Sequence, residues 1–508
     1  MVHCLKCLPP PMDICIHRLV EAVSVKEIVP TMQMASFPKP RCLSLLQCNT
    51  KSICYVKQLH AQFITHGLKS PSIFAKLIEH YCAVSSPDGM YHAHRIFNHF
   101  GPPNVFLLNT LIRCVHPRDS IFIFANWVST GDLVFDDHTY IFVLGACARS
   151  SMVSTLWVGK QMHAQISKCG SLANILVQTT IVHFYASNKD VGSARRVFDE
   201  MNLRSSITWN AMITGYCSQK EPRSNYARDA LMLFCSMLVD VSGPKPTDTT
   251  MACILSAASQ LGVLETGICV HGYVEKTIYE PENDVYIGTS LLDMYSKCGS
   301  LDHALSLFKR MKEKNVLTWT AMMTGLAIHG EGKEALEFLD SMEAYGIKPN
   351  SVTFTSLLSA CRHAGLVEEG LCLFLDMVRK FNITPRMQHY GCIVDLLGRA
   401  GRLEEAYQFI TGMPVEPDGI LWRSLLSACR VHGNVSLGEK VGRLLLQLQS
   451  QQTSTDLTVR CEDYISLSNV YASAEKWEDV EIVRRAMKVK GIEMKAGCSS
   501  VPFSNSLG

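Results

Sequence analysis

The sequence predicts an all-α solenoid of helix-turn-helix repeats, and three observations carry that prediction. One short stripe recurs twelve times: a small residue, a bulky one four later and an apolar one three beyond that. Clear copies are Ala194/Phe198/Met201, Ala230/Phe234/Met237, Ala304/Phe308/Met311, Ala335/Leu339/Met342, Gly370/Phe374/Met377 and Ala406/Ile410/Met413. Looser copies begin at Val56, Ala93, Ser120, Gly159, Gly267 and Gly438. Steps of four and three place all three side chains on one helical face. Successive copies start 27 to 39 residues apart, enough chain for two helices and their turns. Glycine and proline then punctuate the units at a recurring place: Gly346 supplies a helix stop and Pro349 disfavours helix at Lys348, with equivalent stops at Pro246, Pro385 and Pro417.

In chain order, residues 1–40 fall outside the repeat. They hold Pro9, Pro10, Pro11, Pro30, Pro38 and Pro40, basic residues, and only Asp13, Glu21 and Glu27 as acids. That pattern fits an organelle transit peptide in its shortage of acids but not in its scarcity of Arg, so an irregular tail stands beside it. The repeats fill 41–418. The unit Val316–Asn350 shows the plan: Trp319, Met322, Met323 and Leu326 recur at helical spacing, Gly330 and Gly332 flank a turn, and Glu334 to Met342 carry the second helix. The segment SIFIFANWV at 120–128 is too short to span a bilayer and lies inside a repeat, and no membrane span is expected elsewhere.

Composition narrows the function classes. A chain of 508 residues that is 47% hydrophobic and 19% charged suits one long buried seam rather than several separate cores. The 21 cysteines do not read as a disulfide framework: Cys147, Cys217, Cys298, Cys361 and Cys429 fall at similar places in helical units and act as small apolar residues. A net charge of +2 makes bulk attraction to phosphate a minor force, so nucleic-acid affinity has to come from local, repeated contacts.

The motifs inside the units identify a family. NVFLLNTLI (104–112), SSITWNAMITGY (205–216), KNVLTWTAMMTG (314–325) and GIKPN (346–350) alternate with VGKQMHAQI (158–166), SLLDMYSKCGSLDHAL (290–305) and DLLGRAGRLEEAY (395–407). These strings resemble the plant pentatricopeptide repeat family. Unit lengths of 32, 38, 31, 42, 37, 31, 35, 36 and 32 from Val105 to Asp418 resemble the alternating units of its PLS subclass. The tetratricopeptide spacing, also a helical hairpin, is not evident. Residues 419–452 resemble the family's first E motif and 463–496 the second. A polar insertion at 453–462, overlapping the string QSQQTSTDLTVRC (449–461), separates them, and a short tail at 497–508 follows.

The resemblance implies a right-handed α-solenoid that reads single-stranded RNA about one base per unit. It assigns base reading to the fifth and last residues of a unit: Asn109 with Asp136, Thr179 with Ser205, Asn210 with Thr247, Thr289 with Asn315, and Thr320 with Asn350. It assigns packing on the base plane to the second residue, here Phe106, Ile207, Tyr286 and Leu317. The chemistry is apt, because Asn offers donor and acceptor, Thr a hydroxyl and Asp an acceptor. The same residue types near a helix start also cap helices, which is the structural alternative. By the family's correspondence the five pairs favour, in order, uridine, a purine, a pyrimidine, adenine and adenine. Long units place Ile141, Ala252 and Thr355 at the fifth position and read as spacers.

The implied function is a site-recognition factor for C-to-U editing of organellar transcripts, recruiting a deaminase-bearing pentatricopeptide protein in trans, with small editing-accessory proteins as further partners. RNA stabilisation or splicing, and a protein-binding scaffold, are the rival readings. No enzyme and no cofactor are expected, since a deaminase needs His-x-Glu followed by Pro-Cys-x-x-Cys. His329-Gly330-Glu331 matches only the first half and falls in a turn, while Cys4 and Cys7 have no second ligand pair, so no metal site is expected. His60, His163 and His271 occupy matched places in long units and read as packing or surface residues. The mitochondrion is the expected compartment, with the chloroplast as alternative.

Overall fold

In the computed structural model, the described residues are 52–492, less 69, 85, 100–103, 131–133, 151–152, 220–224, 241–242, 279, 452–460 and 491. The 1–40 segment, with Cys4 and Cys7, and the 497–508 tail lie outside them. Among the described residues no strand occurs. Helix α1 (Ile53–Thr65) is followed by helical pairs: α2 (Pro71–Ala83) and α3 (Pro87–His99), α4 (Val105–Cys114) and α5 (Pro117–Thr130), α6 (Asp137–Arg149) and α7 (Val153–Cys169). Next come α8 (Ile175–Ser187) and α9 (Val191–Glu200), α10 (Ser206–Cys217) and α11 (Tyr226–Val239), α12 (Asp248–Leu261) and α13 (Leu264–Thr277). Then follow α14 (Val285–Lys297) and α15 (Leu301–Arg310), α16 (Val316–His329) and α17 (Gly332–Ala344), α18 (Ser351–Ala364) and α19 (Val367–Arg379). The last pairs are α20 (Met387–Arg399) and α21 (Leu403–Thr411), α22 (Gly419–Val431) and α23 (Val435–Gln451), α24 (Cys461–Ser473) and α25 (Trp477–Val489). The even-numbered helices from α4 to α22 begin at the unit starts expected from the repeat. The fold divides into two compact units, 1–257 and 258–508, with the boundary inside α12.

Each unit hands its last side chain to the next. Asn104, Asp136, Asn174, Ser205, Asp284, Asn315, Asn350 and Asp418 sit just before even-numbered helices, and each accepts a backbone N–H two or three residues on. These acceptors satisfy N–H groups that have no partner inside the helix. At helix C-terminal ends, Gly330 after α16 and Gly346 after α17 take φ of +81° and +73°, the left-handed conformation in which glycine closes a helix cheaply.

The recurring stripe is the packing face. Ala194, Phe198, Met201, Ala304, Phe308, Met311, Ala335 and Met342 are all buried. Within the compact units, the even-numbered helices α2 to α10, and again α14 to α24, pack on one another in succession and on their own odd-numbered partners. The small first member of the stripe marks where an odd helix meets the next even one. A Cβ added at Gly267 would lie 2.3 Å from Met294 Sδ, at Gly370 2.5 Å from Leu396 Cδ2, and at Gly438 2.8 Å from Val470 Cγ1. Cys147, Cys361 and Cys429 fill helix contacts as expected, and burial pushes their thiols up to about 12, about 11 and about 11.

The stacking continues across residues 452–460. Helix α24 packs on α22 and α23, with Leu467, Tyr471 and Val480 as its core. It begins at Cys461, so Cys461 and Glu462 belong to the helix rather than to the polar insertion expected at 453–462. Arg423 Nε donates to Asp463 Oδ1 at 2.5 Å, and the Asp463 side chain is 0% exposed. The three matched histidines have a more definite place than packing or surface: Nδ1 of His60, His163 and His271 lies 3.2, 3.0 and 2.7 Å from the hydroxyls of Tyr81, Tyr185 and Tyr295 on the following even helix.

Two outcomes follow from this packing. Gly267→Val drives a branched side chain against Met294 and lowers stability by about 1–3 kcal/mol, measurable by urea denaturation. Burial holds His60, His163 and His271 below their ordinary 6.5, so protonation favours the unfolded chain, which lacks that burial. Their stability contribution is complete above 6.5 and declines as pH falls from there through the lower folded values. His271→Phe therefore flattens the fall in urea midpoint between about pH 7.5 and about pH 5.5.

Candidate nucleic-acid interface

The first turns of α4, α8, α10, α14, α16, α18 and α22 each present one large apolar side chain to solvent. Phe106, Ile207, Tyr286 and Leu317, all expected to pack on bases, are 54%, 65%, 72% and 58% exposed. Their neighbours on the same helices are buried: Leu107 and Leu108 beside Phe106, and Thr318 and Trp319 beside Leu317. Three further members were not named from the sequence, one of them Ile420, second in α22 and 65% exposed. Leu176 stands second in the unit of Thr179 and Val352 second in a long unit, and they are 55% and 58% exposed. The signal was the spacing of three residues before the fifth position. Exposed apolar groups cost free energy, and a repeated row of them marks a surface that meets flat apolar partners.

Beside this row lie the polar pairs, and the structure joins two of them directly. Asn109 Nδ2 donates to Asp136 Oδ1 at 2.9 Å, and Asn210 Nδ2 to Thr247 Oγ1 at 3.4 Å. The other three pairs do not touch. Thr179, Thr289 and Thr320 instead hydrogen bond at 2.7, 2.7 and 2.9 Å to the hydroxyls of Thr208, Thr318 and Thr353 on the next even helix. Those threonines in turn bond to Ser205, Asn315 and Asn350, at 3.0, 3.2 and 3.2 Å. Each pair is thus bridged through one buried hydroxyl, a residue the sequence reading missed.

The capping alternative and the base-reading assignment are not exclusive. Asp136, Ser205, Asn315 and Asn350 are all caps, and each spends one oxygen on its helix. Asp136 Oδ2 and the Nδ2 groups of Asn315 and Asn350 make no hydrogen bond among the described residues. Burial pushes the Asp136 carboxyl up, but hydrogen bonds from Asn109 and Thr139 outweigh it and hold the group below its ordinary value. It therefore stands ionised beside Asn109, with one oxygen left to accept.

Long units differ as the sequence implies. Ile141 and Ala252 carry no polar group at the fifth place, and the Thr355 hydroxyl turns back to its own helix at Ser351 O, 3.0 Å away. His329 ends α16, one residue before the turn expected from the sequence, and bonds to Ser296 O on α14 at 2.9 Å; no cluster of three metal-ligating residues occurs among the described residues. None of the described helices is long and apolar enough to cross a membrane.

Paired helices stacked through capped junctions, with a recurring row of apolar and amide or hydroxyl groups at one end of most first helices, define a modular repeat protein. Models of the pentatricopeptide repeat match residues 207–240, 289–316, 314–363, 352–380 and 389–416, and a model of the E motif matches 432–502. The Arabidopsis thaliana pentatricopeptide repeat-containing protein At3g18970 is 52% identical over 469 residues, covering 92% of this chain and 99% of its own. A second Arabidopsis relative, At1g59720, named chloroplastic/mitochondrial, is 36% identical over 98% of this chain and 78% of its own. The chain belongs to the pentatricopeptide repeat family, as a PLS-type member of the E subgroup. Its fold is that of the crystal structure of the maize repeat protein PPR10, with a TM-score of 0.56 at 16% identity over 94% of this chain and 71% of that one. The same protein bound to an 18-nt psaJ RNA element gives 0.61 at 15% identity, again over 94% and 71%.

Asp136 serves as helix cap and as partner of Asn109, so Asp136→Ala removes both and costs about 1–2 kcal/mol of stability, read as a shift in urea midpoint.

Proposed function

We propose that this chain binds single-stranded RNA about one base per unit and acts as a noncatalytic site-recognition factor for C-to-U editing of organellar transcripts. The observation that carries this reading is the exposed apolar row, Phe106, Leu176, Ile207, Tyr286 and Leu317, each set one helical turn before a polar fifth residue. Bases stack on such side chains whatever their sequence, while hydroxyl and amide groups beside them meet the Watson–Crick edge. With a net charge of only +2, stacking and edge contacts must carry more of the affinity than phosphate attraction. The base-reading pairs are Asn109/Asp136, Thr179/Ser205, Asn210/Thr247, Thr289/Asn315 and Thr320/Asn350.

The E motif supports the editing part, with the paired helices α22 to α25 as the surface that recruits a deaminase-bearing partner in trans. The name of the relative At1g59720 supports an organelle, with the mitochondrion as the proposed compartment and the chloroplast as its alternative.

Two measurements test the proposal. The full chain binds an RNA carrying the expected bases more tightly than one with the two adenines changed. Tyr286→Ala weakens that binding by about 1–3 kcal/mol while leaving thermal stability unchanged, because the ring is 72% exposed. Equal or absent binding to both RNAs favours a protein scaffold. Loss of the gene abolishes editing at one or a few organellar cytidines, seen by transcript sequencing; unchanged editing at every cytidine favours RNA stabilisation or splicing.

A further inference from the structure

Thr139, Thr208, Thr250, Thr318 and Thr353 stand third in α6, α10, α12, α16 and α18, and all five are 0% exposed. Four of them accept the backbone N–H of the cap residue: from Ser205 at 3.3 Å, Thr247 at 2.9 Å, Asn315 at 3.4 Å and Asn350 at 3.2 Å. A hydroxyl has a single proton to give, so the direction of each chain of hydroxyls follows from counting. Around Thr318 the acceptors are Asn315 Oδ1 at 3.2 Å and Thr289 Oγ1 at 2.7 Å. If Thr318 donates to Thr289, its contact with Asn315 Oδ1 has no hydrogen in it. If Thr318 donates to Asn315, Thr289 donates to Thr318 and both contacts are hydrogen bonds. The second arrangement leaves Thr289 with its proton spent inward and only lone pairs facing out. Thr320, Thr353 and Asn350 repeat it at 2.9 and 3.2 Å.

The remaining modules differ at the cap. Thr208 meets the Ser205 hydroxyl at 3.0 Å, and that group donates or accepts equally well, so the chain reaching Thr179 runs either way. Thr139 lies 2.8 Å from both Asn109 Oδ1 and Asp136 Oδ1. Asn210 has only its long contact to Thr247, and its buried Oδ1 has no partner.

We propose that the buried third threonine is a positioning residue for base reading, passing the hydrogen-bonding character of the cap to the fifth residue of the preceding unit. Thr289 and Thr320 then meet a base as acceptors, suited to the exocyclic amine of adenine rather than the carbonyl of guanine. Thr179 serves either purine. This rests on the RNA-reading role proposed above.

The test uses the full chain and RNAs that carry adenine or guanine only at the nucleotide assigned to Thr289 or only at that assigned to Thr320, with Kd from fluorescence anisotropy. The wild-type chain prefers adenine at each by on the order of tenfold. Thr318→Val brings the ratio to unity at the first nucleotide and leaves the second intact; Thr353→Val does the reverse. Thr318→Ser, which restores the hydroxyl, restores the ratio. Circular dichroism and melting establish that the variants are folded, and the reciprocal pattern separates positioning from destabilisation, which weakens all RNAs alike. Unchanged ratios in both valine variants, or equal loss at both nucleotides in either, overturn the proposal. A wild-type chain that binds RNA without preference at either nucleotide overturns the pair assignment beneath it, and one that binds no RNA overturns the proposed function itself.

Discussion

Everything in this fold depends on the junction where the last residue of one unit caps the first helix of the next. The opening N–H groups of a helix have no partner within it. Here the acceptor that satisfies them comes from the preceding unit, so capping a helix and setting the register between units are one event. Asn315 shows the economy: its Oδ1 accepts the Thr318 N–H at 3.0 Å, and its own backbone N–H donates to Thr318 Oγ1 at 3.4 Å. The small stripe residue on each odd helix supplies the other half of the constraint. With no Cβ at Gly267 or Gly370, Met294 and Leu396 fill the space and the next even helix closes on the last.

That junction also explains why the polar row lies where it does. Residues in the first turn of an even helix are near the capped end, where the second side chain points outward and the fifth points toward the next unit's third residue. Where the third residue is Thr139, Thr208, Thr318 or Thr353, the contact is a short hydroxyl bond, whereas Asn210 meets Thr247 instead of Thr250. Where it is His389, the ring accepts from Arg386 N at 2.8 Å and donates to Ser351 O at 2.8 Å, so the preceding long unit is held through its backbone and Thr355 is left out. Units whose fifth residue bonds across to the next helix and units whose fifth residue does not are therefore built on the same scaffold, with different partners at one buried position.

The E region obeys the same geometry with different chemistry. Arg423 is fifth in α22 and Asp463 third in α24, the places taken by Thr320 and Thr353 further up the chain. A charge-assisted bond replaces a neutral one, and a fully buried carboxylate needs such a partner. The pair ties the hairpin α22/α23 to the hairpin α24/α25 in stacking register.

The helical hairpins, the unit boundaries from Val105 to Gly419 and the packing role of the Ala/Phe/Met stripe were all legible along the chain. Periodicity and caps are local properties, and each is legible within one helix or one turn. The resemblance to a repeat family also named the fifth and last residues, since their places are counted along the chain. Only the tertiary structure decided which of those pairs touch. Asn109 reaches Asp136, whereas Thr289 and Thr320 are too short and need Thr318 and Thr353 between them. It likewise decided that His271 meets Tyr295 across 24 residues of sequence and that Arg423 meets Asp463 across 40. Such bonds depend on how two helices approach in space, a distance set by packing at glycines and methionines elsewhere in the unit, and no local pattern records it.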